Sequence, residues 1–311
     1  MSSHTPRSSQ RTGDKMLQKF LILGGEGFVG THLYNELNAR NYSVKRTVRS
    51  NSLSDLSGDI NESLLDKCEK PDVIFHVAGG ASVADSIASP SNDFAKTLPN
   101  LNALLNKMKD EWQSSRLIYV SSAAVYGKNA SSSTSVSTEL APISPYGFHK
   151  KLAEEMLVFY SVTYDLQVKI VRPFSLYGPG LRKQLFWDVL SKAEKGEFRF
   201  SGTGAQLRDW MYIEDFVQSL LTLAQCQWRS SEQILNVGTG EPLSISSAIS
   251  LILSLAGYEN NPLFMTSEDR KGDPRDLVAA NNELNRELLH SKTPFEDGLK
   301  RYISWFKEVD K

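Results

Sequence analysis

The chain has 311 residues, of which 40% are hydrophobic, and it carries 35 basic residues against 36 acidic ones. This length is enough for two domains, or for one large domain with an added lobe, around a sizeable core. The balanced charge excludes the strongly basic surface of a general nucleic-acid-binding protein, so we expect no nucleic-acid partner.

The first 16 residues are rich in Ser, Thr, Arg and Gln and contain no apolar run of signal-peptide length, which predicts a disordered extension over residues 1–16. No later stretch reaches about 18 apolar residues, so we expect no membrane partner. The two cysteines, Cys68 and Cys226, are isolated from each other. They predict a cytoplasmic protein without a disulfide framework or a metal site.

Short apolar runs then alternate with segments that carry apolar residues at helical spacing. This alternation predicts an α/β fold with a doubly wound parallel sheet and right-handed crossovers. We expect a first domain over residues 17–173, to which about 212–240 return, and a smaller C-terminal lobe over most of 174–311. The predicted elements, in chain order, are strand 20–23, helix 28–38, strand 42–49, strand 73–78, strand 117–120, helix 149–164 and strand 168–171.

A glycine run joins the first strand to the first helix, with Gly24, Gly27 and Gly30 at its key positions. Glycine permits a tight turn and close approach of the backbone to a pyrophosphate, and the free N–H groups at the helix start face that anion. The context therefore predicts a Rossmann-type dinucleotide site built from Gly24, Gly27, Phe28, Val29 and Gly30. The alternative is a glycine-rich turn without a ligand.

The end of the second strand bears on which dinucleotide is bound. An NAD site usually has a carboxylate there, but Val48 takes this position and Arg49 follows it. In sequence, no carboxylate lies between Glu36 and Asp55. A guanidinium attracts a 2′-phosphate, so the pattern favours NADPH bound by Arg49, with NAD as the alternative cofactor. Arg49 and its basic neighbours could instead be solvated surface charges.

A possible catalytic set lies further along the chain. Tyr146 and Lys150 are one helical turn apart and share a face, and Ser122 stands 24 residues before Tyr146. Together with the glycine run, this set resembles the extended short-chain dehydrogenase/reductase family, whose members act on nucleotide sugars, over about residues 20–305. The resemblance implies that Tyr146 is the general acid/base, that Lys150 lowers its pKa and binds the nicotinamide ribose, and that Ser122 holds the reacting oxygen.

The resemblance implies further ligands. For the cofactor these are Asp59 and Ile60 at the adenine, with Ala78 and Pro173 along its length. The implied substrate ligands are Ser122, Ser175, Phe200, Arg208, Arg270 and Asp273. Relatives dimerise through the helices that correspond to about 94–112 and 146–164, so a homodimer is implied. Two histidines receive no role: we expect His76 in the core and His149 on a helix surface.

The residues after Ser122 limit which of the family's reactions we expect. Dehydratases of the family have Asp and Glu where this chain has Ala123 and Ala124, and the 3,5-epimerase-reductases have a cysteine at Ala124. Alanine cannot titrate, so neither reaction is expected. The absence of a carboxylate near Val48 then favours NADPH-dependent reduction of the C4 ketone of a nucleotide-linked 4-keto-6-deoxy sugar, in polysaccharide or glycosylated-metabolite biosynthesis.

Two alternatives stay open at this point. One is an NAD-dependent 4-epimerase of a nucleotide hexose, which reduces its own ketone intermediate. The other is a non-catalytic dinucleotide-sensing protein on the same fold, since a fold alone does not fix a function. The intact Ser122, Tyr146 and Lys150 disfavour the sensor, because a sensor has no need of a proton-transfer set.

Overall fold

The structure is a computed structural model, in which the described residues are 18–50, 52, 55–228, 233–261, 263–266, 274–280 and 292–309. The predicted extension over residues 1–16 and the predicted substrate ligands Arg270 and Asp273 lie outside these ranges. Among the helices of the described part, none combines the length and apolarity that a membrane span requires.

The strands are β1 (Lys19–Leu23), β2 (Ser43–Val48), β3 (Leu56–Ser57), β4 (Val73–His76), β5 (Arg116–Val120), β6 (Gln167–Pro173), β7 (Ser175–Tyr177), β8 (Arg199–Phe200), β9 (Leu207–Tyr212), β10 (Ile234–Val237), β11 (Pro242–Ser244) and β12 (Phe264–Met265). A seven-stranded sheet runs in the order β10-β6-β5-β4-β1-β2-β3, and every neighbouring pair in it is parallel. The chain fills one half of the sheet outward from β1 and the other outward from β4. This reversal leaves a crevice at the carboxyl ends of β1 and β4, and it confirms the predicted Rossmann-type fold.

The helices are α1 (Phe28–Ala39), α2 (Glu62–Leu65), α3 (Val83–Ala88), α4 (Pro90–Asp110), α5 (Pro145–Tyr164), α6 (Gln184–Glu194), α7 (Ile213–Gln225), α8 (Ile245–Ala256) and α9 (Phe295–Val309). Helices α1 and α7 pack on one face of the sheet, and α4 and α5 pack on the other. Alternate strand residues serve the two faces: Ile22 and Phe75 join the first cluster, and Leu21 and Ile74 join the second. Burial of both faces explains why these strands are apolar throughout.

A smaller lobe follows β6 in the chain. Its three-stranded sheet has the order β11-β9-β7, and β8 pairs with β12. Helices α6, α8 and α9 close an apolar core that includes Tyr177, Phe186 and Tyr302. The predicted return to the main sheet is β10, which lies parallel to β6 with Ile234 opposite Ile170. The proposed boundaries of the two parts, 17–173 and 174–311, stay a prediction.

A buried polar network fastens α5 to the sheet. The Arg172 guanidinium donates to the Glu154 carboxylate through Nε at 2.9 Å and Nη2 at 2.5 Å, and through Nη1 to the Tyr126 hydroxyl at 2.8 Å. The Ser121 hydroxyl donates to Glu154 at 2.5 Å, and the Tyr126 hydroxyl donates to Asn236 at 2.7 Å. The network thereby joins α5 to β6, to β10 and to the segment that carries Ser121.

Removing one partner of this network should be costly. Glu154→Ala leaves the buried Arg172 charge without its carboxylate, so we expect the free energy of unfolding to fall by about 3–5 kcal/mol. Chemical denaturation measures the loss. The matched control is Glu296→Ala, whose pair with Lys300 is exposed, so its loss should change the free energy of unfolding far less. Equal losses in the two variants would contradict the proposed contribution of the buried network to the free energy of unfolding.

Candidate active site

A cleft of about 1230 Å³ lies at the carboxyl edge of the central sheet and reaches the smaller lobe. Ordinary ligand pockets measure about 300–1,000 Å³, so this cleft has room for a dinucleotide beside a second ligand. Most of the predicted site residues line it: Gly24, Gly27, Phe28, Val29, Gly30, Arg49, Asp59, Ile60, Ala78, Ser122, Tyr146, Lys150, Pro173, Ser175 and Arg208.

Phe200 departs from the prediction of a substrate contact. Its side chain is 3% exposed and belongs to the core of the lobe rather than to the lining of the cleft. Its carbonyl accepts a hydrogen bond from the Thr266 N–H at 2.9 Å. The resemblance of this segment to the nucleotide-binding strand of the family led to the prediction, whereas the Phe200 side chain contributes to the core of the lobe.

The glycine turn has the geometry that a pyrophosphate needs. Gly24 has φ of +96°, and a Cβ atom there would lie 2.7 Å from the Ala78 nitrogen. A Cβ atom on Gly30 would collide with the Gly24 carbonyl. Gly27 precedes α1 and offers no side chain to cap it, so the first N–H groups of α1 face the cleft. The residues present therefore fit the diphosphate of a dinucleotide.

A carboxylate that was not predicted from the sequence stands in this turn, close to the end of β2. Glu26, between the glycines, accepts from the Arg49 N–H at 2.7 Å and from the Ser50 N–H at 3.4 Å, and also from the Ser50 hydroxyl. These hydrogen bonds, led by that of the Ser50 hydroxyl, lower the pKa of Glu26. The sequence pattern places an acid at the end of β2, whereas Glu26 reaches this position from the neighbouring glycine turn.

The other basic residue near this edge is engaged elsewhere. Arg46 pairs with Asp55 at 3.1 Å, and its guanidinium carbon lies 3.8 Å from the centre of the Tyr34 ring. Arg49 is exposed beside the cleft. Of these two arginines, only Arg49 therefore lines the cleft.

The start of α5 positions Tyr146. The Ser144 hydroxyl caps the helix by accepting from the Gly147 N–H at 3.2 Å, and Pro145 occupies the first turn. The Ser86 hydroxyl of α3 accepts from the Tyr146 N–H at 3.1 Å. These contacts fix the turn that carries Tyr146 at the wall of the cleft.

Lys150 lies one turn further along α5 and is 4% exposed. Its ammonium group donates to the Val120 carbonyl at 3.0 Å and to the Tyr119 hydroxyl at 3.3 Å. Ser122 follows β5, and its hydroxyl accepts from the Ala124 N–H at 3.1 Å. The structure therefore brings Ser122, Tyr146 and Lys150 to one wall of the cleft.

Burial dominates the titration of this set. The pKa of Lys150 falls to about 8 because the ammonium is desolvated, although the charges of Asp93 and Glu154 act to raise it. The pKa of Tyr146 is raised, because burial outweighs its hydrogen bond to Ser122, and the charge of Asp93 raises it further. The expected lowering, which counts the positive charge of oxidised nicotinamide as well as that of lysine, stays a prediction. The protonated phenol can donate to an oxygen in the cleft, and the phenolate can accept a proton from it.

The predicted burial is confirmed for His76, whereas the predicted exposure of His149 is wrong. His76 is fully buried, as predicted, and burial lowers its pKa to about 3. His149, which was expected on a helix surface, is instead buried, and its Nδ1 lies 2.6 Å from Asp93 Oδ2. Phe94 packs edge-on against the same imidazole. The α4–α5 contact buries this face of α5, which the helical spacing of the sequence alone did not reveal.

The lobe side of the cleft is basic. Arg208 donates to the carbonyls of Leu207, Pro274 and Arg275 at 2.9–3.1 Å, which holds segment 274–275 against β9. Among the described residues, six basic side chains and two acidic ones line the cleft, namely Arg49, Lys96, Lys150, Arg182, Lys183 and Arg208 against Glu26 and Asp59. This excess of positive charge suits ligands that carry diphosphates.

The chain is similar to known proteins in both sequence and structure. The sequence model of the NAD dependent epimerase/dehydratase family matches residues 20–238. The UDP-glucuronate 4-epimerase of Thermodesulfobacterium geofontis is 30% identical over 241 residues, 76% of this chain and 72% of that protein. MoeE5, solved with UDP-glucose and NAD, has a TM-score of 0.83 at 26% identity, over 94% of this chain and 100% of MoeE5. DesIV, a dTDP-glucose 4,6-dehydratase from Streptomyces venezuelae solved with NAD, has a TM-score of 0.83 at 25% identity, over 94% of this chain and 98% of DesIV.

The pKa of Lys150 predicts a pH dependence of stability. Below about pH 8 the folded protein bears the full cost of burying the ammonium, and between about pH 8 and 10.5 it releases this proton before the unfolded chain does. From about pH 7 to pH 10, wild type should therefore gain about 1–3 kcal/mol of stability relative to Lys150→Met. Denaturant titrations at several pH values measure this slope.

Lys151→Met is the matched control, because Lys151 is the next residue, is half-buried and pairs weakly with Glu155 at 3.9 Å. It should follow wild type at each pH. Parallel pH profiles for wild type and Lys150→Met would show that Lys150 is not titrated in this range.

Proposed function

Because the chain belongs to the NAD-dependent epimerase/dehydratase family, we propose that it is an NAD-dependent 4-epimerase of a nucleotide-linked hexose. The proposal rests on one observation above the others. Among the residues that the structure describes, the wall of the cleft that carries Ser122, Tyr146 and Lys150 offers Tyr146 for proton transfer to a substrate oxygen and no carboxylate beside it, since Ala124 lines the cleft at that place.

This arrangement suits epimerisation better than dehydration. Elimination of water from a sugar needs an acid and a base in addition to the tyrosine. Ala123 is fully buried and Ala124 faces the cleft, and neither side chain can carry a proton. Epimerisation at C4 removes and returns one hydride at the carbon and one proton at its oxygen, so a single proton-transfer residue is enough.

Two findings favour epimerisation over the NADPH-dependent ketone reduction expected first. That expectation depended on the absence of a carboxylate at the end of β2, and Glu26 supplies one there from the glycine turn. The family is NAD-dependent, and the proteins similar to this chain include a UDP-glucuronate 4-epimerase and MoeE5, which was solved with UDP-glucose and NAD. We therefore propose NAD as the cofactor.

The residues of the chain have distinct parts in the proposed reaction. When bound beside this wall of the cleft, NAD would supply the hydride acceptor and donor for C4. Tyr146 takes the proton of the C4 hydroxyl as the ketone forms and gives it back as the ketone is reduced. Ser122 holds that oxygen within reach of the phenol. Lys150, fixed by the Val120 carbonyl, would place a positive charge near the phenol and would bind the nicotinamide ribose.

The lobe would bind the nucleotide. Arg208 lines the cleft, and its guanidinium is already oriented by three backbone carbonyls, so little order is lost when a phosphate binds. Ser175 on β7 lines the same wall. We propose that both contact the nucleotide sugar, with Arg270 and Asp273 as further ligands, and that the product serves polysaccharide or glycosylated-metabolite biosynthesis.

The direct test is turnover without added dinucleotide. Purified protein incubated with UDP-glucose or UDP-glucuronate should form the C4 epimer, which NMR detects. Tyr146→Phe should lower kcat by about 10²–10⁴ while still binding dinucleotide, because it removes only the proton-transfer group. Tyr160→Phe on the same helix, whose hydroxyl bonds Asn106, is the matched control and should keep full activity.

Other outcomes identify the alternatives. Stoichiometric oxidation of NADPH with a 4-keto-6-deoxy nucleotide sugar, and no epimer, would identify the reductase. Dinucleotide binding without turnover of either kind would identify a sensor.

We also propose that a second copy of the chain covers the exposed face of α5. Phe148, Phe159 and Val162 lie on one side of this helix and are 49%, 59% and 79% exposed, and Phe94 of α4 is 45% exposed. Large apolar side chains grouped in this way are typical of an interface. A homodimer that pairs the α4 and α5 helices would bury them.

Light scattering coupled to gel filtration tests the dimer. Phe159→Glu combined with Val162→Glu should convert a dimer to a monomer, because two charges would be buried without partners. Val136→Glu changes an exposed apolar residue outside α4 and α5 and should leave the mass unchanged. A monomeric wild type would overturn the proposal.

A further inference from the structure

We infer that Glu26 sets the dinucleotide selectivity of the cleft: its carboxylate binds the hydroxyls of the adenosine ribose and excludes a 2′-phosphate. The inference rests on the proposed dinucleotide site and concerns one side chain within it. Glu26 stands in the glycine turn, is exposed to the cleft and reaches the end of β2. This is where the fold presents the adenosine ribose.

The groups around Glu26 are those that a phosphate would use. A phosphate is typically bound by successive backbone N–H groups, a hydroxyl and a guanidinium. The N–H groups of Arg49 and Ser50 and the Ser50 hydroxyl supply the first two, and the exposed Arg49 side chain supplies the third. In this structure the Glu26 carboxylate accepts the N–H and hydroxyl bonds itself.

The carboxylate therefore treats the two cofactors differently. A 2′-phosphate must displace Glu26 from its donors and then remain close to its negative charge, and both steps oppose binding. A free 2′-hydroxyl can instead donate a hydrogen bond to the carboxylate without displacing it. The hydrogen bonds from Ser50 and Arg49 and the charge of Arg46 keep Glu26 ionised by lowering its pKa.

Arg46 does not replace Arg49 in this role. It is paired with Asp55 and lies over the Tyr34 ring, so its guanidinium is already engaged by these two residues. Removal of the Glu26 carboxylate would consequently leave one guanidinium, that of Arg49, together with the freed N–H and hydroxyl groups of Ser50. Glu26 thus occupies a group of hydrogen-bond donors that is suited to binding a phosphate.

The experiment is a direct competition for binding. Each protein is equilibrated with equal, saturating concentrations of NADH and NADPH, separated rapidly from free dinucleotide, and denatured so that the retained dinucleotides can be quantified by chromatography. Wild type should retain NADH over NADPH by about tenfold or more, the effect of a hydrogen bond to a charged group. Glu26→Ala and Glu26→Gln should each lower this ratio by about tenfold or more.

Two further variants complete the test. Glu36→Ala removes a carboxylate of α1 that bonds Arg40 and Gln218 away from the cleft, and it should keep the wild-type ratio. Glu26→Ala combined with Arg49→Ala should lose the NADPH that Glu26→Ala alone retains. Thermal melts of each variant show whether it is folded, and Glu26→Gln preserves the size of the side chain if the alanine variant is not.

The outcomes distinguish a failure of the proposed function from a failure of the inference about Glu26. If wild type retains neither dinucleotide, the proposed function fails. If wild type binds dinucleotide but folded Glu26→Ala or Glu26→Gln shows the same NADH to NADPH ratio, the inference about Glu26 is wrong and the proposed function stands. Wild type that retains mainly NADPH would overturn the inference as well.

Discussion

The catalytic wall of the cleft depends on one buried cation. The Lys150 ammonium is hydrogen-bonded to two neutral oxygens, the Val120 carbonyl and the Tyr119 hydroxyl, and is almost fully withdrawn from water. Two hydrogen bonds replace only part of the hydration that an ammonium loses on burial, so the pKa falls to about 8. An ammonium whose pKa is lowered in this way keeps its position only if the surrounding residues hold the side chain there.

That packing is supplied from behind α5. Glu154 is paired with Arg172, and Asp93 with His149, so each carboxylate near Lys150 has its own partner. Both still stabilise the ammonium through space. Neither carboxylate forms a salt bridge with the Lys150 ammonium, so the ammonium stays beside the cleft. The network lowers the cost of burying Lys150 and leaves its hydrogen bonds directed at the end of β5. Stability and function are therefore in tension at this residue, as is usual at sites of charge burial.

Much of this could be predicted from the sequence because it is encoded locally. A glycine turn between a strand and a helix is contained in seven residues, and a pair one helical turn apart is contained in five. The parallel sheet followed from the alternation of apolar runs and helical spacing, and its strand order then placed Gly24, Ser122 and Tyr146 along one edge. Here local pattern and global topology agree.

The features that were missed depend on contacts distant in sequence. Glu26 meets Arg49 across 23 residues because β1 and β2 are parallel neighbours, and the pairing of His149 with Asp93 spans 56. Neither contact has a local periodic signal. Phe200 was misplaced for the opposite reason: its local motif was clear, but only the packing of the lobe shows that its side chain points into the core.

These distant contacts also bear on how the proposed epimerase would use its cofactor. A reductase exchanges its dinucleotide with the cellular pool at each turnover, whereas an epimerase regenerates it in place. In the second case the adenosine end of the cleft takes no part in the chemistry and can be specialised for retention. The proposed contact of Glu26 at that end does not touch the reacting atoms near Tyr146. Selection of the cofactor and proton transfer are thus separated along the cleft, and each can be altered without the other.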